Sequence, residues 1–370
     1  MRYILIFIFA ILSFNSKCQN SDSYLNRANE KYLKGDYKGA IILFDSAIFQ
    51  DQSNSLAYLC RGLIFEMIDS VDKALKDYDK AIYLDSSNDI AFVYRGNLLK
   101  NSEKLDLANK DYNKAIILNP ENSDAYYGRG IVNEQFGELE SAIRDYYTAF
   151  KMDSTNYKIL TSIGAAKLEL GDYKNALKDL NIAVIKDKSN TDAYFYRGTA
   201  KMYLSNPTGA INDFNIALKK NSNKYKIYLL RGMCKNTLND YSGAIIDFNL
   251  VIKNDSNNFE AFILRAQSKI KLQSFKAALS DINYSILIDS LDAVSYYLRG
   301  IANTGTKKYN DAILDFTKAI DLDNTMGEAY YNRGIVYFSI GKSEKGCEDF
   351  IAANKWGFKE ALKIHQEKCR

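Results

Sequence analysis

Apolar, aromatic and charged positions recur along this chain with a period of 34 residues, from Ser21 to residue 360, without an insertion or deletion. Ten windows line up. In each, the seventh position is Arg in nine cases, Arg61, Arg95 and Arg129 among them, with Ile163 the exception, and the eighth is Gly in eight, with Ala28 and Ala266 in the other two. Position 20 is Ala in nine windows, position 24 is aromatic in eight (Phe44, Tyr78, Tyr146 and Phe316, for example), and position 27 stays small. A second ring recurs at position 4, as in Tyr58, Phe92, Tyr126 and Tyr194. The pattern predicts two antiparallel helices per window whose backbones approach closely, with the small residue at position 8 facing the alanines at 20 and 27 and the rings filling the space beside them. Glycines after the first helix (Gly35, Gly137, Gly171, Gly341) suit a left-handed cap, and pairs such as Asp85-Ser86 and Asn119-Pro120 mark the turn before the next helix.

This set of positions resembles the tetratricopeptide repeat, a 34-residue helix-turn-helix unit. The resemblance gives an all-α expectation: an alpha-alpha superhelix, or solenoid, of ten repeats at residues 21–54, 55–88, 89–122, 123–156, 157–190, 191–224, 225–258, 259–292, 293–326 and 327–360. It implies that the first helix of each pair lines a concave groove. Repeat five departs from its neighbours, with Leu160, Ile163 and Leu180 where they have an aromatic, Arg and an aromatic. Such arrays bury apolar surface only between neighbours and need capped ends. A capping helix at 358–370 is expected to lay Phe358, Ala361, Leu362 and Ile364 over repeat ten.

Composition agrees with long helices, since the 370 residues include only two prolines. Residues 1–18 place Arg2 ahead of an apolar run from Tyr3 to Phe14 and then short polar residues, the anatomy of a secretory signal peptide. Cleavage after Cys18 would leave a secreted or periplasmic protein of a bacterial-type envelope. Lipidation of Cys18 fits less well, because Lys17 stands where lipoprotein leaders resemble one another in having a small residue. No later segment is apolar enough for a membrane span. The net charge of +4, reduced to +2 without the leader's Arg2 and Lys17, is spread along the chain and argues against nucleic acid as a partner.

Little here suits catalysis. The single histidine, His365, lies in the capping helix, and there is no phosphate-binding glycine loop and no C-x-x-C pair, so neither an enzyme nor a bound cofactor or metal is expected. The stretch DLDNTMGE from Asp321 lacks a calcium loop's glycine and oxygen ligand and reads as an ordinary turn. Asp at position 23 and Arg at position 7, each in nine repeats, lie at equal heights in a hairpin and are expected to pair, either within a repeat or with the preceding one. The preceding one is favoured, giving Arg95 with Asp77 and Arg231 with Asp213. Cys347 and Cys369 stand at comparable distances from the turn at Gly357 and form a disulfide candidate in an oxidising compartment. Cys60 and Cys234, five repeats apart, are expected to be buried and unpaired.

Positions 2, 5, 6, 9, 12 and 13 of the first helices are not required by the helix-pair core, and they vary between repeats while the packing positions stay fixed. Irregular chemistry on a regular frame suits a selective protein or peptide partner. The candidate surface is the first-helix face of repeats three to seven: Tyr94, Asn97, Tyr127, Ile131, Glu134, Phe195, Tyr196, Thr199, Tyr203, Leu229, Met233 and Asn236. Leu25, Leu59 and Val93 at position 5 do not support a lysine and asparagine clamp for a terminal carboxylate. An alternative ligand is a glycan or cell-wall polymer stacked on the groove tyrosines.

Overall fold

In a computed structural model, residues 19–219 and 224–369 are described; the expected leader, with Cys18, lies outside them. Two compact units divide the chain, one ending at Lys188 and the other beginning at Ser189. Within the first, the leading helices of the five repeats are Gln19–Leu33, Ser55–Met67, Asp89–Asn101, Ser123–Gln135 and Tyr157–Glu169. Their partners are Tyr37–Gln50, Val71–Leu84, Leu105–Leu118, Leu139–Met152 and Tyr173–Lys186. In the second unit the leading helices are Thr191–Tyr203, Lys224–Thr237, Phe259–Lys271, Ala293–Gly305 and Gly327–Ser339. These pair with Pro207–Leu218, Tyr241–Asn254, Phe275–Ile288, Tyr309–Leu322 and Ser343–Lys355, and Glu360–Lys368 closes the chain. There is no strand among the described residues. Inside each unit a leading helix packs on its own partner, and that partner on the leading helix of the next repeat. The fold is the all-α, alpha-alpha superhelix class.

Local chemistry explains where the helices stop and start. Position 15 of every repeat has a positive φ, at Gly35, Gly137, Gly171 and Gly341 but also at Asp69, Glu103, Ser205, Asn239, Gln273 and Lys307. The left-handed cap is thus common to all ten repeats, and the glycines only make it easier to adopt. Between repeats, Asp at position 31 accepts from the backbone two residues on, as Asp51 does from Ser53 N and Asp85 from Ser87 N. Asn at position 34 then caps the next helix, Asn54 accepting from Ala57 N and Asn88 from Ala91 N. The turn at Asp321 follows the first part of this scheme, with Asp323 accepting from both Thr325 N and Thr325 Oγ1, but Met326 at position 34 supplies no side-chain cap.

The packing at position 8 differs from the expectation in one respect. The small residue there faces the ring at position 24 of its own repeat. A Cβ built on Gly62 would lie 2.8 Å from Tyr78, on Gly198 2.7 Å from Phe214, and on Gly300 2.6 Å from Phe316. These rings are fully buried. Repeat eight carries Ala266 opposite the narrower Ile282, although Ala28 opposite Phe44 shows that one methyl group can be tolerated. A branched side chain is too large. Gly300→Val is expected to destabilise the protein by about 2–3 kcal/mol through overpacking, read as a lowered thermal midpoint, and an unchanged midpoint would show that Phe316 moves aside freely.

Arginine and aspartate form a clamp of regular geometry, and the favoured pairing with the preceding repeat's position 23 is corrected by it. Arg95 Nε and Nη2 bond Asp111 of their own repeat at 2.8 and 2.7 Å, not Asp77. Likewise Arg231 bonds Asp247, not Asp213. The fork's geometry is the reason: two parallel N–H groups face one carboxylate across the hairpin, which leaves Nη1 to reach position 25 of the repeat before, Asp79 for Arg95 and Asn215 for Arg231. The ring at position 4 lies beside the same guanidinium, 5.6 Å for Phe92 with Arg95 and 5.3 Å for Tyr228 with Arg231. A cation–π contact therefore accompanies the ion pair. Where Ile163 replaces Arg, Lys167 one turn later bonds Asp179 at 2.7 Å, and Tyr147 at position 25 joins them through its hydroxyl.

At the C-terminus, Gly357 turns the chain with φ +87°, and Phe358, Ala361 and Ile364 pack with Phe350, Ala353 and Tyr331. Leu362, expected in this contact, instead lies exposed, because the helix begins only at Glu360 and turns that position outward. Cys347 and Cys369 are joined by a disulfide.

Candidate functional site

The leading helices of repeats two to four enclose a concave pocket of about 530 Å³ in the first unit. Ile90, Val93 and Tyr94 from Asp89–Asn101, with Tyr127, Gly128 and Ile131 from Ser123–Gln135, form its apolar walls. Its polar rim comprises Glu66, Asp89, Asn97, Lys100, Asn101, Asn119, Asn122 and Asp124. Helical geometry brings these together: residues three and four apart share a face, so Ile90, Val93, Asn97, Lys100 and Asn101 descend one side of a single helix. Gly128 has a specific role. A Cβ there would lie 2.4 Å from the Tyr112 ring of the preceding repeat, so glycine lets the two helices close behind the pocket.

Three position-24 rings carry hydroxyls in this unit, Tyr78, Tyr112 and Tyr146, and each hydroxyl emerges towards the leading-helix face. Tyr78 donates to Glu66 at 2.6 Å, Tyr112 donates to Asn97 Oδ1 at 2.8 Å, and Tyr146 donates to Glu134. Burial pushes the phenols of Tyr78, Tyr112 and Tyr146 well above their ordinary range. Burial also raises the Glu66 carboxyl, against the bond from Tyr78 that lowers it, and lowers the Lys100 ammonium. Both groups are half-buried.

The pocket brings together Tyr94, Asn97, Tyr127 and Ile131 of the candidate residues, while Glu134, on the same helix as Tyr127 and Ile131, lies outside its lining and accepts from the Tyr146 hydroxyl. In the second unit, the Phe195 ring packs 5.1 Å from Tyr196 and 6.3 Å from Phe214. Thr199 Oγ1 bonds the Phe195 carbonyl, Tyr203 is 55% exposed, and Asn236 accepts from Ser268 Oγ. Leu229 and Met233 are half-buried. Position-5 rings are less free than their variability implies. Tyr127 lies 5.5 Å from Tyr146, so truncating it would disturb packing as well as the groove.

Sequence reasoning missed Glu66, Asp89, Lys100 and Asp124, the charged members of the rim. A signal was available in Tyr rather than Phe at position 24 in repeats two to four alone, since a buried hydroxyl needs a polar partner. Among the described residues, no cluster of His, Cys, Asp and Glu could hold a metal ion, and no helix is long and apolar enough to cross a membrane.

Family models of the tetratricopeptide repeat match residues 95–156, 197–259 and 293–326. Solved structures agree on the fold. A tetratricopeptide repeat protein from Parabacteroides merdae is 21% identical with a TM-score of 0.50, covering 66% of this chain and 98% of its own. PilF from Pseudomonas aeruginosa is 19% identical with a TM-score of 0.51, covering 57% of this chain and 96% of its own. No curated protein matches the sequence. The fold and the repeat frame define an α-helical repeat solenoid. Within that class, the stretches that the family models match are tetratricopeptide repeats.

Proposed function

We propose that this chain is a non-enzymatic scaffold for protein–protein interaction, holding an extended peptide or a folded partner against its leading-helix face. The observation that carries this reading is the contrast between a constant frame and a variable face. Positions 7, 8, 20, 23 and 24 are spent on clamps and ring packing in repeat after repeat, while positions 2, 5, 6, 9, 12 and 13 change and in repeats two to four form a preformed concave pocket. A preformed surface lowers the ordering cost of binding on the scaffold side. The signal-peptide reading of residues 1–18 supports a workplace in the cell envelope or outside the cell. The test starts with a pull-down by the mature protein from its own cell envelope. Ile131→Trp, which fills the pocket, is expected to weaken the captured partner's binding about tenfold or more. Tyr83→Asp, at a side chain 81% exposed on a second helix, should leave it unchanged. The opposite result would place the binding surface elsewhere.

A glycan is the second reading, favoured by Tyr94 and Tyr127 standing beside amide and acid side chains in one pocket. Competition of the captured partner by soluble cell-wall oligosaccharides, lost in Ile131→Trp, would select it over a polypeptide.

A further inference from the structure

We infer that the pocket at repeats two to four is a subsite for a lysine or arginine side chain of an extended polypeptide; this rests on the groove reading above. Its shape and its charge point the same way. Ile90, Val93, Tyr94, Tyr127 and Ile131 offer apolar and aromatic wall to an aliphatic stem, while the carboxylates of Glu66, Asp89 and Asp124 stand at the rim against the one ammonium of Lys100. Lysine and arginine are the side chains that combine an apolar stem with a cationic head. The half-buried Tyr127 ring in the wall adds cation–π attraction, and complementary charge fixes register along a groove.

The state of the rim's amides separates this occupant from a neutral polar one. Asn119 and Asn122 both donate to one oxygen of Asp89, at 2.9 and 2.6 Å, and the Asn122 carbonyl caps the helix at Ala125 N. Asn97 accepts from Tyr112, and Asn101 accepts from Lys100. The oxygens of all four amides are thus engaged within the protein, Asn119 also accepting from Glu121 N, and the acceptors that remain for a ligand are chiefly carboxylate oxygens. Glu66 has one oxygen engaged by Tyr78 and sits partly desolvated, so a cation that completes its coordination recovers solvation that the fold has removed.

The experiment is selection of a random linear peptide library on the full-length chain, followed by affinity measurements on the selected peptides. Enrichment of Lys or Arg at one fixed register is expected, with an about tenfold loss on Glu66→Gln combined with Asp124→Asn. Glu66→Gln keeps an acceptor for Tyr78, and circular dichroism checks that helical content is retained. Lys100→Glu should raise affinity for the same peptides, a gain that misfolding cannot imitate. Binders without a cationic register that still depend on Ile131 would overturn the subsite and leave the groove standing. Binders indifferent to Ile131→Trp would overturn the groove reading itself.

Discussion

Arg231→Ala is expected to destabilise repeat seven by about 3 kcal/mol. Asp247 is 0% exposed and accepts from Arg231 Nε and Nη2 at 2.9 and 2.5 Å and from Lys235 Nζ at 2.8 Å. Removing the guanidinium strands a buried carboxylate on a single ammonium. It also removes the bond to Asn215 and so loosens repeat seven from repeat six. Because a repeat array can open in segments, the decisive readout is amide exchange in the second helix, Tyr241–Asn254. A loss of about 3 kcal/mol appears there as about 100-fold faster exchange. Arg27→Ala is the internal comparison, since repeat one has Leu43 where the others have Asp and the Arg27 side chain is exposed beside Tyr24. That change should cost about 0.5 kcal/mol or less. Equal effects at the two sites would show that the carboxylate clamp contributes nothing beyond an exposed arginine.

The fold was legible because helix pairing reduces to a few steric rules repeated ten times. A glycine at position 8 and a ring at 24 mean little alone, but the coincidence of Gly62 with Tyr78, Gly198 with Phe214 and Gly300 with Phe316 leaves one way to stack two helices. What the pattern did not settle was direction. Positions 7 and 23 have the same spacing whether arginine folds onto its own hairpin or back onto the previous one, and only the third nitrogen shows that it does both. Register alone cannot assign a bidentate fork and a single donor to different repeats.

Less of the groove was legible, for a related reason. Variability identifies positions that packing does not fix, and it located Tyr94, Asn97, Tyr127 and Ile131 on one surface. It could not tell that Tyr127 also packs on Tyr146, or that Asn97 is held by the hydroxyl of Tyr112. Those contacts cross between helices; the tyrosines at position 24 signal that a polar partner exists, but spacing does not say which residue it is. Glu66, one repeat earlier than the surface proposed from sequence, enters the pocket because the groove is assembled by neighbours rather than by one repeat.

Breaking the Cys347–Cys369 bridge is expected to release the terminal helix while the rest of the protein stays folded. Glu360–Lys368 has 9 residues, short enough to be marginal by itself. It is held by the apolar contacts of Phe358, Ala361 and Ile364 and by a bridge that closes a separation of 22 residues. A loop of that size contributes about 3 kcal/mol in the chain-entropy account. Cys369→Ser should therefore speed amide exchange over Glu360–Lys368 by about 100-fold and expose the Phe350 and Tyr331 rings beneath. Mild reduction of the unmodified chain should do the same, because the other two described cysteines do not interfere. Cys60 and Cys234 are buried, and burial pushes their thiols up to about 12 and about 11, so they stay protonated and slow to react. Exchange in the Ser55–Met67 helix, far along the chain in the first unit, should not change. If the terminal helix keeps its protection in Cys369→Ser, its apolar face alone caps repeat ten and the bridge is dispensable.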